Sequence, residues 1–381
     1  LAFASRGFDV VALGPAPNGD DRRTTALMMP SITYLETLGL WEEIQPKAAA
    51  LVTMRIVDAT RRLVRAPTVS FQAAEIGEQA FGYNVPNAVL NAALAAAVRE
   101  SSRIRWHESA VSGYRHAPAS IFADTQAGGE IEARLLVAAD GRASPARESA
   151  GIRVRTWTYP QTAVVVNFAH ALEHANISTE FHTGNGPVVQ VPLPGRRSSL
   201  VWVTTPQEAA ELMALDDETL SRRVEQRIES ILGSVNVEPG RQSWPLSALV
   251  PSAFARDRVA LVGEAAHVFP PIGAQGLNLG IRDVEWLVAQ AARHRDDPGA
   301  PSVLAAYDLG RRPDVMMRTG AVDLLNRSLL SAFLPAQIAR GAGLELLRMV
   351  APLRAVMMRE GMRPGSGWRS LALLGRKEGR P

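Results

Sequence analysis

Two carboxylates at the ends of short apolar runs are the residues in this chain best placed for chemistry. Glu264 follows the run at 259–262, VALV, and Asp140 closes the stretch 131–139, IEARLLVAA. Each is followed by turn-forming residues. Gly141 comes directly after Asp140, with Ser144 and Arg147 beyond. Beyond Glu264 lie Pro270, Pro271 and Gly273, and a helix is expected from about Gly276. A strand that stops in a glycine loop and restarts as a helix turns backbone N–H groups toward whatever lies past its carboxyl end. In open α/β sheets that crevice receives nucleotide cofactors. A carboxylate there can accept hydrogen bonds from sugar or polyol hydroxyls. The helix dipole favours negative charge beside its first turn. His267 sits inside the loop and is read as ordering it; no residue is identified as a general base.

The run GEAAHVFPPIGAQGLNLGIRD resembles the GDAAH-type motif of the flavin-dependent aromatic hydroxylases, the para-hydroxybenzoate hydroxylase group. Within that group it is most similar to the ubiquinone-biosynthesis hydroxylases. The usual Asp of the motif is Glu264 here, so its longer side chain must retract or the contact with the ribityl chain must shift. The resemblance extends to ADGRASPAR around Asp140 and Gly141, implying flavin and nicotinamide binding there. It extends also to the stretch 20–27, DDRRTTAL, where Arg23, with Arg22 as the spare, would meet the pyrophosphate or adenosine of FAD. Asn87 occupies a position where a polar side chain touches FAD, and it could equally be a helix N-cap. The resemblance implies that Gly263, Glu264, Pro271, Gly273 and Gly276 border the flavin, with Pro270 to Gly273 beside its reactive edge. It implies further that the N–H groups of Leu277 and Asn278 face its pyrimidine carbonyls. The segment YPQTAVVVNFAHALEHANISTEFHTGNGPVVQVPL and the stretch 323–327, DLLNR, match the same subfamily.

These residues need elements to hold them. Residues 1–7 read as the end of a helix capped by Gly7, and 8–13 as a strand. In the resembling family this is the second half of a βαβ unit. Its first half, a strand with GxGxxG, would fall immediately before Leu1. A late start, a shortened chain and a protein without that turn would all read alike. The acidic residue expected after the second strand is replaced by Gly14. A helix is predicted over 31–39 with Ile32, Leu35 and Leu38 on one face. A hairpin is predicted over 54–67 with its turn at 58–61. A further helix is predicted over 87–100 with Leu90, Leu94 and Val98 inward. From 156 to 247 strand-like runs, with a helical stretch over 206–232, give an antiparallel sheet. Together with the resemblance, these elements imply an α/β fold class, a Rossmann-like FAD/NAD(P)-binding domain with an inserted antiparallel-sheet substrate domain and a helical C-terminus. The boundaries are 1–50, 80–155 and 250–325 for the first, 51–79 and 156–249 for the second, and 326–381 for the C-terminal helical segment and basic tail.

Composition narrows the function. The 381 residues allow two or three domains. The absence of cysteine excludes disulfides, thiolate metal sites and a cysteine nucleophile. Lys47 and Lys377 are the only lysines, so a net charge of +3 accompanies a pI near 9.6. No basic stripe with interleaved aromatics points to nucleic acid. His170 and His174 are spaced i, i+4, but on a strand or its turn, where no helical face unites them; they and His182 are expected to be loop histidines, and no metal is expected. No apolar run is long enough to span a bilayer and residues 1–10 lack a leader pattern, so a cytoplasmic protein is expected. From Arg340 onward nine basic and three acidic residues leave a net +6. An amphipathic helix over 343–358 there reads either as a packed helix with a solvated tail or as a surface for the inner membrane face or a quinone-pathway partner.

The resemblance implies FAD as cofactor, NAD(P)H as reductant and hydroxylation of an aromatic ring through a flavin hydroperoxide, with a polyprenyl phenol as substrate. Two rivals stand beside it: a hydroxylase of a small soluble aromatic, and a flavin-less scaffold subunit.

Overall fold

The computed structural model describes residues 1–19, 21–60, 65–271, 273–330 and 334–362. Its frame is a pair of parallel strands, Leu136–Ala138 and Val259–Leu261, matched Leu136 to Val259 through Ala138 to Leu261. Val259, Ala260 and Leu261 are fully buried. A run without polar alternation is what a parallel strand covered on both faces requires. Leu279 and Leu287 of the helix Gln275–Ala291 pack against it, as do Tyr307 and Val315 of the helix Pro301–Leu330. Tyr307 donates to the Leu261 carbonyl at 2.6 Å, and burial pushes its pKa well above the usual phenol value, so it remains a donor. A second parallel pair joins Val10–Leu13 to Ile104–His107.

The stretch 131–139 is not one strand. Glu130–Ala133 closes a small antiparallel sheet with Ile121–Thr125, and Leu136–Ala138 belongs to the parallel pair. The chain changes sheets at Arg134, whose carbonyl is held by the Arg258 guanidinium. The helix Met29–Thr37 buries Ile32 and Leu35 as expected and passes into Gly39 at φ 71°. The helix Asn87–Glu100 buries Leu90, Ala93 and Ala95, with Leu94 and Val98 half-buried.

The second layer is an eight-stranded sheet. It takes Thr53–Asp58 and Val69–Gln72 from early in the chain and the strands between Val154 and Pro251 from later. All its pairings are antiparallel except that of Thr53–Asp58 with Ile177–Thr183. One face carries Val164, Val166, Phe168, Phe181, Val188, Leu200 and Trp202 against the helices Pro206–Ala214 and Asp217–Arg227. Alternate residues face the other way. The predicted hairpin exists, but its second arm begins at Val69, past Pro67, and pairs Met54 with Phe71 and Ile56 with Val69. Residue 61 of the predicted turn, and residues 62–64 of the predicted second arm, lie outside the described residues. Asp58 stitches the loop by accepting from the Thr60 and Ala66 amides. The helical stretch 206–232 is two helices, because Asp216 caps a new start by accepting from the Thr219 amide at 2.7 Å.

The predicted amphipathic helix over 343–358 is also interrupted. Helices Leu334–Met349 and Ala351–Met362 meet at Val350, and Pro352 cannot continue a ladder from the first helix. The Arg354 guanidinium caps the freed carbonyls of Leu347 and Arg348 and pairs with Glu75 at 2.6 Å. Val356 and Met358 are buried, and Met358 packs with Phe81. The basic tail from 363 onward lies outside the described residues. Among the described residues no helix is long and apolar enough to cross a membrane.

Candidate functional site

The loop after Val262 is fixed from below. Gly263 leaves the strand at φ 60°, and its amide donates to Asp283 Oδ2 at 3.0 Å. A Cβ at Gly280 would sit 3.3 Å from the Gly263 Cα, so the helix runs directly against the strand tip. Asp283 is fully buried and accepts also from His267 Nε2 at 2.7 Å and Arg311 Nε at 2.8 Å. His267 thus orders the loop, as the sequence predicts. Arg311 and Arg282 both donate to Asp314 Oδ2. Burial alone would raise the Asp314 pKa, but the Arg282 and Arg311 charges outweigh it and bring it to about 2. Burial likewise opposes the charge on Arg311, and Asp283 and Asp314 overcome it, so its pKa is raised.

Above this base the chain turns into the helix through two left-handed residues, Gly273 at φ 69° and Ala274 at φ 53°. The second is an alanine, so backbone strain is held at this corner. In a helix beginning at Gln275 the unpaired amides are those of Ala274, Gln275, Gly276 and Leu277. This corrects the expectation of paired Leu277 and Asn278 amides. Leu277 offers one, but Asn278 is past the free turn and works through its side chain. Its Oδ1 accepts from the Met28 amide at 2.8 Å and the Ser31 hydroxyl at 2.7 Å, and its Nδ2 donates to the Ala26 and Ala274 carbonyls. Asn278 therefore staples the helix start to the strand Thr24–Met28.

The polar residues meet around this corner. Glu264 is exposed on the tip of Val259–Leu261, its side chain 58% accessible and 3.4 Å from Arg142 Nε. Asp140 lies past the neighbouring parallel strand and holds the next helix by accepting from the Ala146 amide at 3.0 Å. Arg147, buried, donates to the carbonyls of Ala265 and Arg142, tying the Asp140–Gly141 turn to the Gly263 loop. Arg23 forms a two-point pair with Asp21, at 2.8 and 2.6 Å. That hydrogen bond holds the Asp21 carboxyl at about 2 despite partial burial. The same bond raises the Arg23 pKa, and the Glu264 charge adds to it, so Arg23 and Glu264 share one electrostatic neighbourhood. Asn87 is not an N-cap. Pro86 takes that position with extended backbone, and the Asn87 side chain is spent on Asp21 Oδ2 and the Thr25 hydroxyl. Arg22 points elsewhere and packs over Gly240.

One cavity of about 610 Å³ connects these features. Glu264, Pro270, Pro271, Gly273, Gly276 and Leu277 line one side. Met54, Ile56, Phe71, Glu180, Val189, Val191, Ser199 and Val201 of the large sheet form the opposite wall, and Met357, Met358 and Met362 of the last described helix close an end. Leu277 is 41% exposed although large and apolar, and a Cβ at Gly276 would meet open space. Four unpaired amides, an exposed carboxylate and an open apolar wall facing a single space suit an elongated dinucleotide with a flat ring system. Of the predicted residues, Glu264, Pro271, Gly273, Gly276 and Leu277 border the space. Gly263 and Asn278 brace it, Asp140 and Gly141 follow the end of the adjacent strand without lining the space, and Arg23 and Asn87 sit beside the lining residues Thr24 and Thr25.

Of the three histidines, His174 lies in the loop between the strands Val154–His170 and Ile177–Thr183, as expected, and the other two do not. His170 and His182 end up buried on strands, where strand alternation turns them inward. His170 contacts the Leu172 carbonyl and the Ser198 hydroxyl, His174 the Leu193 carbonyl, and His182 Glu180. Among the described residues no cluster of metal-ligating side chains occurs. Sequence reasoning missed Asp21, Arg142 and the Asp283–Arg311–Asp314 base. Asp283 lies within the quoted motif, but its partner on a distant helix carries no spacing signal.

A parallel strand pair with carboxylates at both tips, a free helix start and an apolar sheet across the cavity fit the FAD of a flavin-dependent monooxygenase. The chain belongs to the FAD binding domain family, whose model matches residues 16–319. It is 34% identical over 372 residues to "Ubiquinone hydroxylase UbiL" of Rhodospirillum rubrum, covering 95% of this chain and 85% of that one. It is 28% identical over 383 residues to "3-demethoxyubiquinol 3-hydroxylase" of Escherichia coli, covering 96% and 94%. Among solved structures, pqsL, "a probable FAD-dependent monooxygenase from Pseudomonas aeruginosa", superposes with a TM-score of 0.74 at 22% identity, covering 90% of this chain and 94% of that one. The cofactor is FAD, with NAD(P)H the reductant typical of the family.

Proposed function

We propose that the protein hydroxylates a phenol carrying a polyprenyl tail, on the route to ubiquinone. The observation that carries this reading is the single cavity, about 610 Å³, with the strand-tip residues on one wall and an apolar sheet on the other. When bound, FAD takes electrons from NAD(P)H and supplies activated oxygen to the ring. The chain's own residues hold, orient and exclude water. Glu264 accepts from ribityl hydroxyls, the Gln275 to Leu277 amides meet the pyrimidine carbonyls, Asp140 and Arg23 serve the rest of the dinucleotide, and Asn87 holds Asp21 and Thr25 beside them. Phe71, Val189, Val191 and Val201 hold the substrate ring in a dry site, where competing collapse of the activated oxygen is suppressed. The tail leaves past Met357 and Met362. Met357 both lines the cavity and is 52% exposed, and Leu346 and Met349 nearby are 50% and 74% exposed. We take this methionine-rich edge as the contact with a membrane surface holding the substrate.

The test is turnover. FAD-loaded protein should consume NAD(P)H in step with formation of hydroxylated product from a prenylated phenol. Turnover of water-soluble phenols alone would favour the small-aromatic reading, and protein that never retains flavin would favour the scaffold reading.

A further inference from the structure

The sheet wall of the cavity carries a carboxylate that the cofactor does not explain. Strand register places Ile56, Glu180, Val189 and Val201 side by side in one row across four strands. All four line the cavity. Glu180 is thus a carboxylate in an otherwise aliphatic row, with its side chain only 19% accessible. A half-buried carboxylate among apolar side chains needs a donor to satisfy it. Here one does. His182, two residues on and 5% accessible at its side chain, places Nε2 2.9 Å from Glu180 Oε1. Because a carboxylate only accepts, Nε2 is the donor. It is the one hydrogen-bond donor to Glu180 among the described residues, and Oε2 is left for the cavity's occupant.

Several other polar groups around the cavity are already committed. The Ser178 hydroxyl donates to the Gln190 carbonyl at 3.0 Å, Asn84 Nδ2 to the Pro192 carbonyl at 2.8 Å, and the Thr25 hydroxyl to Asn87 at 2.7 Å. Arg55 and Glu264 are the other charged lining residues, and no ion pair joins either to Glu180 among the described residues. A second open position lies in the adjacent row. Ser199 lines the cavity, is 1% exposed, and its Oγ has no hydrogen-bond partner. The wall therefore offers an acceptor at Glu180, and beyond the apolar Val189 and Val191 it carries the buried, partnerless Ser199 hydroxyl. That pattern suits a flat ring bearing oxygen substituents.

We propose that Glu180 accepts a hydrogen bond from a ring hydroxyl of the substrate and so selects a free phenol over its O-alkyl ether. His182 is the positioning residue that holds Oε1 and leaves Oε2 toward the ring. The ether would lack the proton and leave the carboxylate short of a donor, and such losses cost affinity more than an ordinary hydrogen bond returns. This rests on the aromatic-substrate reading above but not on the prenyl tail.

The experiment is calorimetric binding to FAD-loaded protein of two matched pairs, 2-geranylphenol with 2-geranylanisole and phenol with anisole. Wild type is expected to prefer the hydroxyl member of a pair by about tenfold or more. Glu180→Leu, which continues the aliphatic row, should bring the ratio to about one while the anisole affinity holds or rises. If that variant fails to fold, Glu180→Gln, with a weaker neutral acceptor, should reduce the ratio partway. His182→Leu should reduce it too, and His182→Gln, which restores a donor, should recover part of it. A preference erased by Glu180→Leu in the geranyl pair supports both readings. The same result confined to the phenol–anisole pair supports Glu180 and removes the prenyl tail. No hydroxyl preference in wild type, or a preference that survives Glu180→Leu and Glu180→Gln, overturns the proposal.

Discussion

Within one stretch, Gly263 to Asp283, two sets of residues behave in opposite ways. His267, Asn278 and Asp283 are buried, and protein groups occupy their hydrogen-bonding atoms, apart from a partnerless His267 Nδ1. Glu264, Pro271, Gly276 and Leu277 are exposed and face the cavity. The motif therefore combines a scaffold with a binding surface. The scaffold half spends its polarity internally, and the facing half keeps its polarity for a ligand. Substitutions in the first should register as stability, and substitutions in the second as affinity.

The largest break in that division is expected at Asp283. Asp283→Ala leaves the buried Arg311 guanidinium and the His267 ring without their shared acceptor. It should lower stability by about 3–5 kcal/mol, read by denaturant unfolding. A loss under 1 kcal/mol would mean that the base under the loop is not what fixes it. Asn278→Ala comes next. It abandons four hydrogen bonds, two of them to the strand Thr24–Met28, at a cost of about 2–3 kcal/mol. Flavin binding should fall with it only as far as folding does.

Asp314 sharpens the comparison through pH. Its folded pKa of about 2 lies below the ordinary carboxylate value of 3.8, so its ion pairs add stability above about pH 4 that is lost as pH falls toward 2. The stability gap between wild type and Asp314→Asn should therefore close on acidification through that window, followed by melting at stepped pH. A gap independent of pH would place the effect outside the Arg282–Asp314–Arg311 network. The smallest effect is expected from Arg142→Gln. Arg142 is half exposed and 3.4 Å from Glu264, and its loss should leave the melting temperature of flavin-free protein unchanged within error.

The same division explains what the sequence conveyed. The strand tips were legible because apolar runs ending in Glu264 and Asp140 need only local pattern, and their parallel register brings them side by side. Leu277 was legible as a helix-start donor, whereas Asn278 was not, because one residue of helix phase separates a free amide from a paired one. Arg23 could be read, but its bidentate partner Asp21 could not be distinguished from a solvated loop acid. Asn87 was open between two readings, since Pro86 can cap with backbone alone and release the side chain. The long-range partners, Asp283 with Arg311 and Glu180 beside Ile56 and Val189, arise from tertiary register that no local periodicity encodes.

Glu264 gives the most direct test of the account, since it stands at the strand tip yet contributes one weak contact to the fold. FAD titrated into Glu264→Gln, alongside melting of the flavin-free protein, separates affinity from stability. The account predicts binding weakened by about tenfold, roughly 1.4 kcal/mol, with an unchanged melting temperature. Wild-type affinity, or a lowered melting temperature accounting for the loss, would contradict it.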